Sequence, residues 1–172
     1  MTEIPWTHFI GRTYRAHNPR WAGDPLSGEG AARHGGRFNR KGTPTLYTSL
    51  DPMTAWSEAQ QAFVFKPQPM TLVAYDVDCA RVADLTRGHV LSTPGIAAED
   101  LACAWEDLSD QGHTPPTWLL ADRLIAEGAH GAIAPSQAPG TRPDATNLVL
   151  WDWHSECRVE VFDDFGRLPA DR

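Results

Sequence analysis

Cysteine is scarce: the chain has three, Cys79, Cys103 and Cys157. The number is odd and no two are close in sequence, which argues against a disulfide framework and against a structural zinc site. Seven histidines are scattered without the spacing of metal ligands, so no metal is expected. Positive charge is in deficit, with 15 Lys and Arg against 22 Asp and Glu and a formal net charge of -7. Such a balance argues against general nucleic-acid binding, which needs a basic surface to meet phosphates. Local basic clusters can still bind a small anion. No stretch approaches the roughly 20 apolar residues that a membrane span needs. The N-terminal MTEIPWTHFIGRTYR has no continuous apolar core of signal-peptide type. The expectation is a soluble cytoplasmic protein that engages neither membrane nor nucleic acid. Familiar catalytic signatures are missing too. There is no GxxxxGK[ST] loop, no GxGxxG between strand and helix, no HExxH, no CxxC pair and no GxSxG elbow.

What is present suits one domain spanning residues 1–172, with 41% hydrophobic residues to build a core. Fourteen Gly and fourteen Pro imply many turns. Residues 18–43, NPRWAGDPLSGEGAARHGGRFNRKGT, are rich in glycine and arginine and show neither helical nor strand period. A long irregular segment inside a domain is usually functional or disordered, and these charges and aromatics favour a loop that lines a ligand site.

The regular elements are easier to read. TYRAH and TPTLYTSL (43–50) are predicted strands. Asp51 as N-cap with Pro52 at the first helical position starts a helix expected to run to about Phe63. MTLVAYDVDC (70–79) alternates as a strand should. A helix is expected near Ile96–Leu108, and another from Thr114-Pro115-Pro116 to Gly128. GAIAPS (131–136), TNLVLWDW (146–153) and RVEVFDD (158–164) complete the strands. Strands and helices mix without βαβ alternation, which predicts an α+β fold with a mixed or antiparallel sheet.

Five polar residues surround the glycine-rich segment: Arg15, Arg37, Tyr47, Glu58 and Ser136. Taken singly, each has an ordinary explanation: an exposed strand residue, a solvated loop charge, a core tyrosine, a surface glutamate, a turn serine. On the helical wheel Glu58 lies opposite Met53, Trp56 and Phe63, the bulky face expected to pack inward. Glu58 then points either to water or into a cleft. Acting together, the five meet a more specific demand. Arginine grips a pyrophosphate with a planar fork. Two glycines before Arg37 let the backbone approach a ligand. A tyrosine ring stacks on a flat heterocycle. A carboxylate stabilises a ribose that gains positive charge. By themselves these residues point to a dianionic ligand with a ring and a sugar.

The string YRAH…W…DPLSGEGAARHGGRFNRKGTPTLYTSLDPMTAWSEA resembles the RES-domain toxins. In that family an arginine precedes a GEGA…GGRWN-type stretch, a YxS-type strand follows, and then a helix carrying glutamate. The resemblance continues through NLVLWDW to the closing FGRLP. It implies an ADP-ribosyltransferase-like fold and NAD as substrate, without a metal. It further implies a toxin of a type II toxin–antitoxin pair that cleaves the nicotinamide–ribose bond by hydrolysis or phosphorolysis. Transfer of ADP-ribose to a protein is the alternative activity, and a nucleotide-binding module without catalysis is a third reading. Carried over by residue, the resemblance implies that Glu58, Arg15 and Ser136 are catalytic and that Arg15, Arg37, Tyr47 and Ser136 bind NAD. Phe38 stands where tryptophan is common. The implied partner is a helix-turn-helix antitoxin covering the active site.

Overall fold

A computed structural model describes residues 4–61, 65–88, 90 and 97–169. Six strands form the frame: β1 (Trp6–His17), β2 (Leu46–Ser49), β3 (Thr71–Asp84), β4 (Gly131–Pro135), β5 (Thr146–Leu150) and β6 (Cys157–Val161). Among the described residues four helices accompany them: α1 (Glu29–His34), α2 (Pro52–Gln60), α3 (Trp105–Asp110) and α4 (Pro116–Ala126). Short 3-10 turns occupy Pro19–Trp21 and Ala98–Ala102. The fold is α+β with a mixed sheet.

The 14-residue β3 organises the sheet. From Thr71 to Ala83 it pairs antiparallel with β1 along one edge, with a register shift between Thr7 and Phe9. The other edge takes β6 at Tyr75–Cys79 and β4 at Val82–Asp84. From β4 the pairing runs through β5 and β2 and returns to β1 at Tyr14 and Ser49. The pairings β1–β2–β5–β4–β3–β1 therefore close a ring, with β6 added outside it. Among the described strands only β3 and β4 run parallel. A parallel pair needs a long crossover, and α3 and α4 lie within that connection.

Alternation along the strands sends side chains into two cores. Leu148 and Leu150 of β5 join Leu46, Tyr75, Val82 and Trp153 in one, between the two halves of the ring. Val149, pointing the other way, joins Ala132, Ala134, Leu120 and Leu124 under α4. Both faces of β4 and β5 are thus covered, which fixes the strand ends that reach the site.

Several expectations shift. Asp51 caps α2 as expected, accepting from the Thr54 amide at 2.9 Å with Pro52 in the first turn. The inward face of that helix is not the bulky one, however. Met53 is 71% exposed and Trp56 37%, whereas Thr54 and Ala55 are buried. Small residues let α2 lie close against β1, and proximity decides the packing face over side-chain bulk. Phe63 and Ile96 lie outside the described residues. The helix expected near 96–108 is in two parts, the turn Ala98–Ala102 and α3. The segment 18–43 is not wholly irregular, since α1 sits within it. The cysteine expectation is overturned as well. Cys79 and Cys157 are direct partners across β3 and β6, their Cα atoms 4.3 Å apart, and form a disulfide. They are 78 residues apart in sequence, so only the strand pairing brings them together. Cys103 is free. Among the described residues no helix is long and apolar enough to cross a membrane.

Candidate active site

The site is built around the 18–43 segment, which the frame holds at many points. Trp153 of the β5–β6 connection donates its indole N–H to the Leu26 carbonyl at 3.1 Å. Tyr75 of β3 donates its hydroxyl to the Pro25 carbonyl at 2.6 Å. Trp118 of α4 and Trp151 donate to the carbonyls of Gly36 and Phe38 at 2.8 and 2.9 Å. Asn39 is fully enclosed, and its amide donates to the carbonyls of Ala31, Arg40 and Thr43. An arginine-rich loop becomes a rigid wall because its backbone groups are satisfied by buried side chains.

The two glycines before Arg37 are built into this wall and line the cavity it bounds. Gly35 has φ of +76° and ends α1 in a conformation that glycine adopts without strain. At Gly36 a Cβ would stand 2.6 Å from both the Tyr47 hydroxyl and the Asn39 side-chain oxygen. Its absence lets that hydroxyl accept from the Phe38 amide at 2.9 Å and donate to Asn39 Oδ1 at 2.8 Å. Burial pushes the Tyr47 phenol far above its usual range, outweighing the Phe38 hydrogen bond and the nearby Arg37 charge. Tyr47 is therefore a neutral phenol. Phe38 is buried, so the residue that departs from tryptophan packs in the core under α4.

These elements enclose a cavity of about 410 Å³, and Arg15, Arg37, Tyr47 and Glu58 all line it. Arg15, near the end of β1, donates to the Ser27 carbonyl at 2.9 Å and, more weakly, to that of Pro25 at 3.4 Å. Arg37 donates to the carbonyls of Leu101 and Cys103 at 3.0 and 2.6 Å. Carbonyls orient a guanidinium without neutralising it. Among the described residues neither arginine has a carboxylate partner. Two half-buried positive charges therefore face a cavity of ligand size.

Glu58 lines the cleft. It follows the buried Thr54 and Ala55 by one helical turn, on the face that α2 turns inward. One carboxylate oxygen accepts from the Ser136 hydroxyl and from the Asn147 amide, each at 2.6 Å. Gln61 donates to the other oxygen. Ser49 donates to the Asn147 side-chain oxygen at 2.7 Å, which sets the orientation of that amide. Ser136 is placed behind Glu58: its neighbours Pro135 and Gln137 line the cavity, and its own hydroxyl is occupied with the carboxylate.

Asn147, Ser49 and Asn39 escape sequence reading. The signal for Asn147 is slight, a single amide opening the apolar run TNLVLWDW. Ser49 ends LYTS and looks like a strand terminus. Among the described residues no group of three His, Cys, Asp or Glu could hold a metal ion. A search among curated proteins finds no match. The model of one family, the RES domain, matches residues 12–171. That range holds every residue of the site and nearly the whole chain, which thus belongs to the RES domain family.

Proposed function

We propose that this RES-domain protein binds NAD and breaks its nicotinamide–ribose bond, acting as the toxin of a toxin–antitoxin pair. The observation that carries the reading is one cavity with two cations and one anion at different places on its wall. Arg15 and Arg37 suit the diphosphate. The Tyr47 ring offers a flat surface for a heterocycle. Glu58, held by Ser136 and Asn147, suits the ribose of the bond that breaks.

The step needs little covalent chemistry from the protein. The C–N bond breaks with its electron pair leaving on nicotinamide, which departs as a neutral molecule. Positive charge grows on the anomeric carbon, and the Glu58 carboxylate gains attraction as it grows. An acceptor then adds to that carbon and loses its proton: water gives ADP-ribose, phosphate gives its phosphorylated counterpart, and a protein side chain gives a modified target. Stabilisation that appears only in the transition state raises turnover and not affinity.

Release of nicotinamide from NAD by the purified chain, with and without phosphate, tests the reading and separates hydrolysis from phosphorolysis. Glu58→Gln keeps the shape and removes the charge. Turnover should fall roughly 100-fold or more with NAD affinity little changed, the scale of losing one preorganised electrostatic group. Arg37→Lys should instead weaken binding and leave residual chemistry, because the planar fork is lost while the charge is kept. Cleavage at the parental rate by Glu58→Gln sinks the mechanism.

An enzyme that drains NAD needs restraint in its own cell. The partner in this reading is a helix-turn-helix antitoxin that covers the cavity and presents a carboxylate to Arg15 and Arg37, since opposite charges steer such complexes. Co-expression should then rescue growth. Normal growth and normal NAD with this chain alone at high level refute the toxin assignment.

A further inference from the structure

β6 ends the order of strands, with β3 along one edge and, among the described residues, no strand along the other. The Phe162 amide donates to the Ala74 carbonyl at 2.8 Å, one step beyond the pairing of Val161 with Tyr75. Hydrogen-bonded residues alternate in an antiparallel pair, so Arg158 and Glu160 also turn their backbone groups to β3. Cys157, Val159 and Val161 turn theirs to the outer edge. Among the described residues no loop backbone pairs with them there. The disulfide Cys79–Cys157 fastens the start of β6 to β3, which holds this edge in place. Such an edge is a template for a further strand.

Proteins usually guard an edge with charge, lysine above all. Here the two exposed residues of β6 have opposite signs: the side chains of Arg158 and Glu160 are 69% and 63% exposed, with Val159 between them. That spacing is self-complementary. Let two β6 strands pair antiparallel with Val159 at the centre. Val159 then faces Val159 of the second copy, and Cys157 faces Val161 of the second copy. These are the residues whose backbone groups point outward, so each N–H and C=O finds a partner. Arg158 lies directly opposite Glu160 of the second copy, at the positions where side chains approach most closely. A centre on Arg158 or on Glu160 would instead set that residue against itself, and like charges directly opposite are destabilising. A centre between two residues would align outward groups with inward ones and lose the hydrogen bonds. Backbone direction and charge thus select the same register.

We propose that β6 is an interaction surface for a second copy of this chain, the two strands pairing antiparallel about a two-fold axis at Val159. The contact uses the same patch on both copies. It continues the sheet from β3 of one copy through both β6 strands to β3 of the other. Neither β3 nor β6 lines the cavity that holds Glu58, so each copy keeps its site open. The pairing is therefore independent of the NAD reading. Five residues from each copy make a small contact, so assembly depends on concentration.

Sedimentation equilibrium from the micromolar to the near-millimolar range tests it. The mass of the parent chain should rise towards twice 19.0 kDa. Glu160→Arg sets arginine against Arg158 of the second copy, and Arg158→Glu sets glutamate against Glu160 of the second copy. Each reversal should weaken the dimer about tenfold or more, because both symmetry-related pairs become repulsive. An equal mixture of the two variants should regain the dimer, since every pair across the axis is again of opposite sign. Thermal melting checks that each variant folds. Arg158 stands opposite Asp78 within the sheet. If Arg158→Glu does not fold for that reason, Glu160→Arg alone decides the matter. A parent chain that stays monomeric at the highest concentration overturns the proposal. So does a dimer that either reversal leaves intact, or one that the mixture of folded variants fails to regain.

Discussion

At the scale of single residues the site depends on how one carboxylate is held. Asn147 and Ser136 donate to the same oxygen of Glu58, and Ser49 fixes which way the Asn147 amide points. Asn147→Ala removes a charge-assisted donor, so Glu58 should sample other rotamers and be misplaced for part of the time. The expected result is a fall of roughly tenfold in NAD turnover with affinity held, the size of one hydrogen bond to a charged group. A double-mutant cycle makes the point sharper. Because Asn147 acts through Glu58, its removal should cost almost nothing further in the Glu58→Gln background. Additive losses in single-turnover cleavage would show that Asn147 works independently of Glu58.

At the scale of elements α2 is the part that carries Glu58 to the cavity, and its start is set by Asp51. Burial pushes the Asp51 carboxyl up, but the hydroxyl and amide of Thr54 and the charge of Arg142 outweigh it and hold it below its usual 3.8. A depressed carboxyl stabilises the fold above the unfolded value, and this contribution disappears as pH falls through the lower folded value. Asp51→Ala should therefore cost about 1 kcal/mol near neutral pH, the usual worth of such a cap. The difference from the parent should shrink in strong acid. Denaturant titrations at neutral and acid pH measure it. A gap that widens on acidification would contradict the assignment of Asp51 as the cap.

On the scale of the whole molecule the ring of strands β1–β2–β5–β4–β3 brings together residues from both ends of the chain. The disulfide Cys79–Cys157 ties the outer strand β6 to that ring. Denatured protein prepared without reductant should expose one reactive thiol, that of Cys103, and three after reduction. A colorimetric thiol titration reads both numbers. Three thiols without reductant would mean that Cys79 and Cys157 are not linked in the purified protein.

The sequence by itself determined whatever is written in neighbouring residues. Asp51-Pro52 announces the start of α2, alternation announces β3, and the block from Gly28 to Ser49 marks the wall of the site along with Arg15, Arg37, Tyr47 and Glu58. Such signals are local, because caps and strand periods depend on residues a few positions apart. Tertiary structure decided the rest. It turned the small face of α2 inward, joined Cys79 to Cys157, put Ser136 and Asn147 on Glu58, and enclosed the His17 ring with no hydrogen-bond partner for either nitrogen. Each of those outcomes depends on partners distant along the chain. Side-chain bulk suggested that Met53 and Trp56 would be buried, but burial follows from how closely two elements approach, and Thr54 and Ala55 let α2 come closest to β1.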